Sequence, residues 1–245
     1  TVSVCKKGTG TTYMLQIKNL TLTHKKDLRE ILSDFSCVFN NGDKAVIIGE
    51  EGNGKSTLLK WLYDPFMVEE YCEAEGERLI SGEVLGYLAQ ELPKEDQQKS
   101  VYEFFSEQES FWNQTPNELN QTAAKFHIAP DFFYREQQMS TLSGGEKVKA
   151  QLMRILFAEP TVLLLNEPSN DIDIETLATL EELILSWDKI VIYISHDETL
   201  IERTANKIIH IEQIRRKTKS RFCIANTSYT EYLKNRSSQM ENQAR

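Results

Sequence analysis

The sequence predicts an α/β fold in which a mainly parallel sheet is covered by helices on both faces. Three observations carry that expectation. Two short, wholly apolar runs, Val162-Leu163-Leu164-Leu165 and Ile190-Val191-Ile192-Tyr193-Ile194, read as buried parallel strands. They alternate with helical patterns at 147–158 and 175–186. Finally, Ala45-Val46-Ile47-Ile48 leads into Gly49-Glu50-Glu51-Gly52-Asn53-Gly54-Lys55-Ser56-Thr57 and then Leu58-Leu59-Lys60-Trp61-Leu62, which is strand, glycine loop and helix in that order.

Along the chain, residues 14–22 alternate apolar and polar, as a half-buried strand does, and 31–39 continue in that style up to a turn at Asn40-Asn41-Gly42-Asp43. Residues 77–88 read as one or two short strands broken at Ser81-Gly82 and ending at Ala89-Gln90. From 91 to 138 glycine and strand signals disappear, Glu, Gln and aromatic residues dominate, and four Lys/Arg stand against nine Asp/Glu. That stretch is expected to form a separate acidic helical lobe, with helices around 101–105 and 123–126. Residues 147–158 place Val148, Leu152, Ile155 and Leu156 on one helical face, and 175–186 do the same with Leu177, Leu180 and Ile184. A further strand is expected at 207–211, an edge strand at 222–225, and a last helix at 229–236 before a polar tail or linker at 237–245. The basic cluster Arg215-Arg216-Lys217, with Lys219 and Arg221, reads as a solvated turn. Residues 1–13 are polar, and Met14 opens the first strand, so 1–13 are expected to be a leader or an appended segment.

The chain has 245 residues, 40% hydrophobic and 27% charged, which suits a globular core in one large domain or in one domain with a small appended lobe. No apolar run approaches the roughly 18 residues that span a bilayer. Cys5, Cys37, Cys72 and Cys223 share no metal-binding spacing and read as reduced thiols of a cytoplasmic protein. A net charge of −9 argues against a surface devoted to nucleic acid, so direct DNA binding is not expected.

The glycine loop has the chemistry of a phosphate cradle. Gly52 and Gly54 allow backbone N–H groups to converge, the helix that follows adds the positive end of its dipole, and Lys55 can reach terminal phosphates. Ser56 offers a hard oxygen to Mg²⁺. Four downstream features add to it. Gln90 ends a strand; alone, it is an ordinary surface glutamine. Leu142-Ser143-Gly144-Gly145-Glu146 opens a helix and exposes N–H groups as a second anion site; alone, it is a helix cap. Residues 163–167 deliver Glu167 to the sheet end where ligands bind in such folds, placing it to orient or deprotonate a water aimed at a γ-phosphate. The plainer alternative is a strand ending in a polar turn. His196, in Ser195-His196-Asp197, follows another buried strand and would donate to terminal phosphate oxygens, or serve only as a structural hydrogen-bonding residue.

Together these motifs resemble the nucleotide-binding domain of the ATP-binding cassette (ABC) superfamily over residues 14–236. The resemblance matches a P-loop at 49–57, a Q-loop at Gln90, a signature at 142–146, a Walker B strand at 162–167, a D-loop at 168–173 and a switch histidine at His196. It implies a P-loop ABC ATPase fold: a core at 14–90 and 139–236 with an antiparallel β subdomain, and an inserted helical subdomain at 91–138. It also implies ATP and Mg²⁺ as cofactors. The nucleotide would be held by Gly49, Gly52, Asn53, Gly54, Lys55, Ser56 and Thr57, with His24 standing where many ABC domains stack an aromatic on adenine. Ser143, Gly144 and Gly145 would close over the ATP of a second ABC domain, in the same chain or a homodimer. Glu167, Gln90 and His196 would be catalytic, and Ser56, Gln90 and Asn166 would serve the metal.

The signature LSGGEK, the run EPSNDIDIETLATLEELI, the segment SHDETLIERTANKI and the late NTSYTEYL look most like the N-terminal half of an ABC-F protein. That resemblance implies a ribosome-associated or antibiotic-protection ATPase. The ATP-binding subunit of a membrane transporter is the alternative. The chain departs from the pattern at Asn166, where the Walker B acid is normally Asp, and at Asn170-Asp171, which lacks the usual D-loop His. Weak Mg²⁺ binding with slow turnover, or a nucleotide-gated binding module with little hydrolysis, is the expectation that Asn166 raises.

Overall fold

A computed structural model describes residues 14–214 and 219–243. Residues 1–13, the expected leader with Cys5, and the cluster at 215–217 lie outside the described residues, whereas Lys219 and Arg221, read as part of that solvated turn, fall in a strand. The chain runs β1 (Met14–His24), β2 (Glu30–Asn40), β3 (Lys44–Ile48), α1 (Lys55–Tyr63), α2 (Phe66–Glu69), β4 (Cys72–Ile80) and β5 (Leu85–Leu88). Four helices follow: α3 (Lys94–Gln97), α4 (Val101–Ser106), α5 (Glu109–Trp112) and α6 (Pro116–Lys125). The chain then alternates through α7 (Gly144–Phe157), β6 (Val162–Asn166), α8 (Ile174–Ser186), β7 (Ile190–Ile194), α9 (Glu198–Thr204), β8 (Lys207–Ile214), β9 (Lys219–Ala225) and α10 (Tyr229–Gln243).

Two sheets result. The larger has the order β5-β6-β7-β3-β8-β9, parallel except for β9, which pairs antiparallel at the edge. The smaller is antiparallel, in the order β2-β1-β4. Alternation along the central strands divides the core. Ala45, Ile47, Leu164, Ile192 and Ile209 face α1 and the antiparallel sheet. Val46, Leu163, Leu165, Val191 and Ile208 face α7, α8, α9 and the helical segment. Both faces are covered, so β6 and β7 are buried at every position. This is why their sequences are apolar without a period of two.

The helical segment is held by aromatic packing. Phe105 meets Phe104, Phe133 and Phe157 edge-on, with ring centroids 5.0 to 6.0 Å apart. Phe157 belongs to α7, so this cluster ties the segment to the core. Ser100 and Thr115 cap α4 and α6 reciprocally with Glu103 and Glu118.

Differences from the sequence expectation include three elements. β4 begins at Cys72 and not near Glu77; its first six residues after Cys72 leave little buried, so it lacks an apolar period. The helix α9, capped by Asp197 on Thr199 N and Leu200 N, falls in a stretch assigned no element. The last helix, expected to stop at 236, continues to Gln243.

Candidate functional site

The phosphate loop hangs between β3 and α1. Gly54 caps α1 with φ +80°, and an added Cβ there would lie 1.9 Å from Ile31 Cγ2, so glycine is required both by backbone and by space. No acidic residue occupies the first turn of α1, leaving its dipole free to favour an anion. Lys55 is buried and its ammonium donates to the carbonyls of Gly49 (2.9 Å) and Glu50 (2.8 Å). Burial pulls its pKa below the ordinary lysine value, while Glu167 and Glu51 oppose that shift.

Ser56 Oγ donates to Asn166 Oδ1 at 3.1 Å, and Asn166 Nδ2 reaches the Tyr87 hydroxyl at 3.5 Å. Tyr87 in turn stacks on Tyr63, with ring centroids 5.0 Å apart. The amide of Asn166, only 1% exposed, is thereby oriented with its oxygen toward Ser56.

Glu167 follows β6 in a left-handed conformation, φ +50°, with its N–H bonded to Ile194 O at 3.0 Å. Its carboxylate accepts from Gln90 Nε2 at 3.2 Å and from Asn170 Nδ2. His196 Nε2 lies 3.7 Å from its other oxygen. Strand ends β5, β6 and β7 therefore deliver Gln90, Glu167 and His196 to one place.

A cleft of about 500 Å³ is lined by Gly52, Gly54, Lys55, Ser56 and Thr57 of the phosphate loop together with Gln90, Glu167 and His24. Gly49 and Asn53 do not line it. They face a neighbouring cleft of about 560 Å³, which His196 also borders. Asn53 donates to Ile211 O at 3.4 Å and is buried. Ser143, Gly144 and Gly145 line neither cleft. They begin α7 against the D-loop: an added Cβ on Gly144 would sit 2.1 Å from Asp171 O. Ser143 caps α7 in a reciprocal pair with Glu146.

Sequence reasoning missed Tyr71, Arg29, Tyr87 and Asn170. Tyr71 and Arg29 line the cleft near His24, whose ring lies 6.3 Å from that of Tyr71. Nothing local in the sequence singles them out, because the contact joins the β1–β2 turn to the start of β4. Asn170 stands three residues beyond Glu167, inside the D-loop already recognised.

The donors near Ser56 fit a hard cation: Ser56 Oγ, which lines the cleft with Gln90 and Glu167, and Asn166 Oδ1, to which it is bonded, are both oxygens. Among the described residues no cluster of three His, Cys, Asp or Glu could hold a metal by itself. No described helix is long and apolar enough to cross a membrane.

A family model described as ABC transporter matches residues 32–170. The chain is 32% identical over 187 residues to the ATP-binding protein Uup of Escherichia coli, covering 73% of this chain and 28% of that protein. It is 30% identical over 196 residues to the energy-dependent translational throttle protein EttA of Haemophilus influenzae, covering 80% and 34%. The chain thus spans about a third of the length of these curated relatives. A solved structure of a metal-chelate type ABC transporter in an inward-facing conformation superposes with a TM-score of 0.65 at 18% identity, covering 87% of this chain and 83% of that one. That likeness concerns the fold: an α/β core with a mixed sheet, an antiparallel sheet and helices. The family match and the relatives agree with the motif order, and the chain belongs to the ATP-binding cassette (ABC) family, with ABC-F proteins among its relatives.

Proposed function

We propose that this chain binds and hydrolyses ATP as one half of a head-to-tail pair of ABC domains, within a cytoplasmic, ABC-F-like ATPase that works on the ribosome. The convergence of Gln90, Asn170 and His196 on Glu167 at the mouth of the phosphate-loop cleft carries this reading. The signature segment supports the pairing. Ser143, Gly144 and Gly145 present a helix N-terminus away from this chain's own cleft, where a nucleotide on a partner domain can meet it. The name of the EttA relative, a translational throttle protein, supports the ribosomal part.

In this reading Lys55 exchanges its bonds to the Gly49 and Glu50 carbonyls for β- and γ-phosphate oxygens. The N–H groups of the loop and of α1 hold the triphosphate. Gln90 and Asn170 fix the Glu167 carboxylate, which orients a water and takes its proton as the water attacks the γ-phosphorus; ADP leaves. His196 donates to the terminal oxygens. Ser56, Asn166 and Gln90 would hold Mg²⁺, which when bound offsets charge on the β- and γ-phosphates. Asn166 contributes a neutral oxygen there, so we propose weak metal retention and slow turnover.

That same neutral oxygen favours a second reading, a nucleotide-gated binding module with little hydrolysis. Phosphate release by the full-length protein, with and without ribosomes, separates the two. Ribosome-stimulated release that is lost in Glu167→Gln supports the ATPase. Tight ATP binding without release, restored by Asn166→Asp, supports the module. Co-purification with a membrane complex and not with ribosomes would overturn the ribosomal assignment.

A further inference from the structure

We propose that Glu51, a carboxylate inside the phosphate loop, makes the cleft choose nucleotide that arrives with its cation: it repels a bare triphosphate and tolerates the Mg²⁺ complex. The proposal rests on the nucleotide-binding reading above. Glu51 stands between Gly49 and Gly52 and lines the same cleft as Gly52, Gly54, Lys55 and Ser56. Its neighbour Glu50 does not; it borders the adjacent cleft of about 560 Å³. Glu51 is exposed, and among the described residues its side chain has no hydrogen bond or ion pair. Its charge is nevertheless felt inside the cleft. Burial lowers the pKa of Lys55, and Glu167 and then Glu51 act against that shift.

The charges around the cleft make this carboxylate count. Arg29 and Lys55 line it as cations and Glu51 and Glu167 as anions, so the formal charges cancel. Asp27 acts on Arg29 from outside the lining and weakens the positive side further. The two anions in the lining differ in kind. Glu167 is held by Gln90 and Asn170, whose amide N–H groups share its charge. Glu51 has no such partner, and it belongs to the loop whose backbone N–H groups would gather the phosphates. Any phosphate gathered there comes within range of Glu51, because Coulomb repulsion needs proximity and no particular alignment.

Bound Mg²⁺ cancels about half of a triphosphate's charge, so it also removes about half of that repulsion. Beside Ser56, Asn166 brings only a neutral oxygen and gives a loaded nucleotide little electrostatic advantage over a bare one. Glu51 supplies that advantage from the loop.

The test is equilibrium binding of a fluorescent, non-hydrolysable ATP analogue to the full chain, in excess Mg²⁺ and in EDTA. The proteins are wild type, Glu51→Gln, Glu51→Asp, Glu50→Gln and Lys55→Ala. Glu51→Gln should bind the analogue about tenfold more tightly than wild type in EDTA and only about threefold more tightly in Mg²⁺. Both gains should shrink in about 0.5 M salt, where surface charges are screened. Glu51→Asp keeps the charge and should stay within about twofold of wild type in both conditions, which separates charge from loop shape. Glu50→Gln removes the same net charge outside the cleft and should gain no more than about twofold in EDTA. Equal gains in Glu50→Gln and Glu51→Gln, equal gains with and without Mg²⁺, or no gain in Glu51→Gln would each overturn this proposal alone. No binding by wild type in Mg²⁺, as in Lys55→Ala, would overturn the nucleotide reading as well.

Discussion

Asn166→Asp tests the metal end of the cleft because the structure sets two opposing effects there. Asn166 is 1% exposed, accepts from Ser56 and donates to Tyr87. Aspartate keeps the acceptor but removes the donor and buries a charge. Without metal, the lost bond and the desolvation of the carboxylate should cost about 2 kcal/mol. For a domain of this size that is a fall in Tm of roughly 4–8 °C. With Mg²⁺ and a non-hydrolysable ATP analogue, the carboxylate gains a cation partner and the order should close or invert. Thermal unfolding of both proteins with the analogue present, in EDTA and in Mg²⁺, reads both effects. Equal Tm values in EDTA would refute the claim that the amide's environment penalises a carboxylate. An equal Mg²⁺-dependent rise in both proteins would refute the claim that position 166 serves the metal.

Three further outcomes follow from the packing. Gly144→Ala must displace the Asp171 carbonyl from a 2.1 Å clash, so chemical denaturation should show a loss of about 1–3 kcal/mol. Burial pushes the Cys37 thiol up to about 11 and raises Cys72 as well, whereas Cys223 is exposed. In a Cys5→Ser background a thiol reagent at pH 8 should therefore label Cys223 well before Cys37 and Cys72. His210, bonded to Tyr232 and facing Arg236, Glu212 and Lys55, has its pKa lowered first by burial and then by Arg236. The unfolded chain thus binds the proton more readily. Stability from this group is present above pH 6.5 and falls as pH drops through the lowered folded value, and His210→Gln should flatten that part of a Tm-against-pH curve.

Where a residue's surroundings are local or uniform, the sequence was readable. The strands Val162–Asn166 and Ile190–Ile194 are buried on both faces, so their apolar runs stood out. The phosphate loop was legible because its chemistry lies in contiguous residues. α7 was found, but its buried face is wider than the stripe of Val148, Leu152, Ile155 and Leu156. Ala150, Leu152, Met153 and Phe157 are buried, because the helix meets the sheet on one side and the helical segment on the other. β4 was placed late because an edge strand exposed on both faces carries no hydrophobic period. Arg29 and Tyr71 escaped notice for a different reason: their place beside the cleft depends on β1 pairing with β4 from His24↔Cys72 onward, which no local pattern announces.

The strand order also sets a timetable for synthesis. β3, which carries the phosphate loop, is flanked by β7 and β8 and pairs with nothing made before it. As the chain leaves a ribosome, the loop emerges early and waits for Ile190–Ile194 and then Lys207–Ile214 to follow. At ordinary elongation rates that interval is roughly 10 to 30 s. Until then the strand Ala45-Val46-Ile47 is an unpaired apolar edge on an unfinished domain. A nascent chain should therefore need shielding through this window, and should gain a nucleotide site only when most of its length is out.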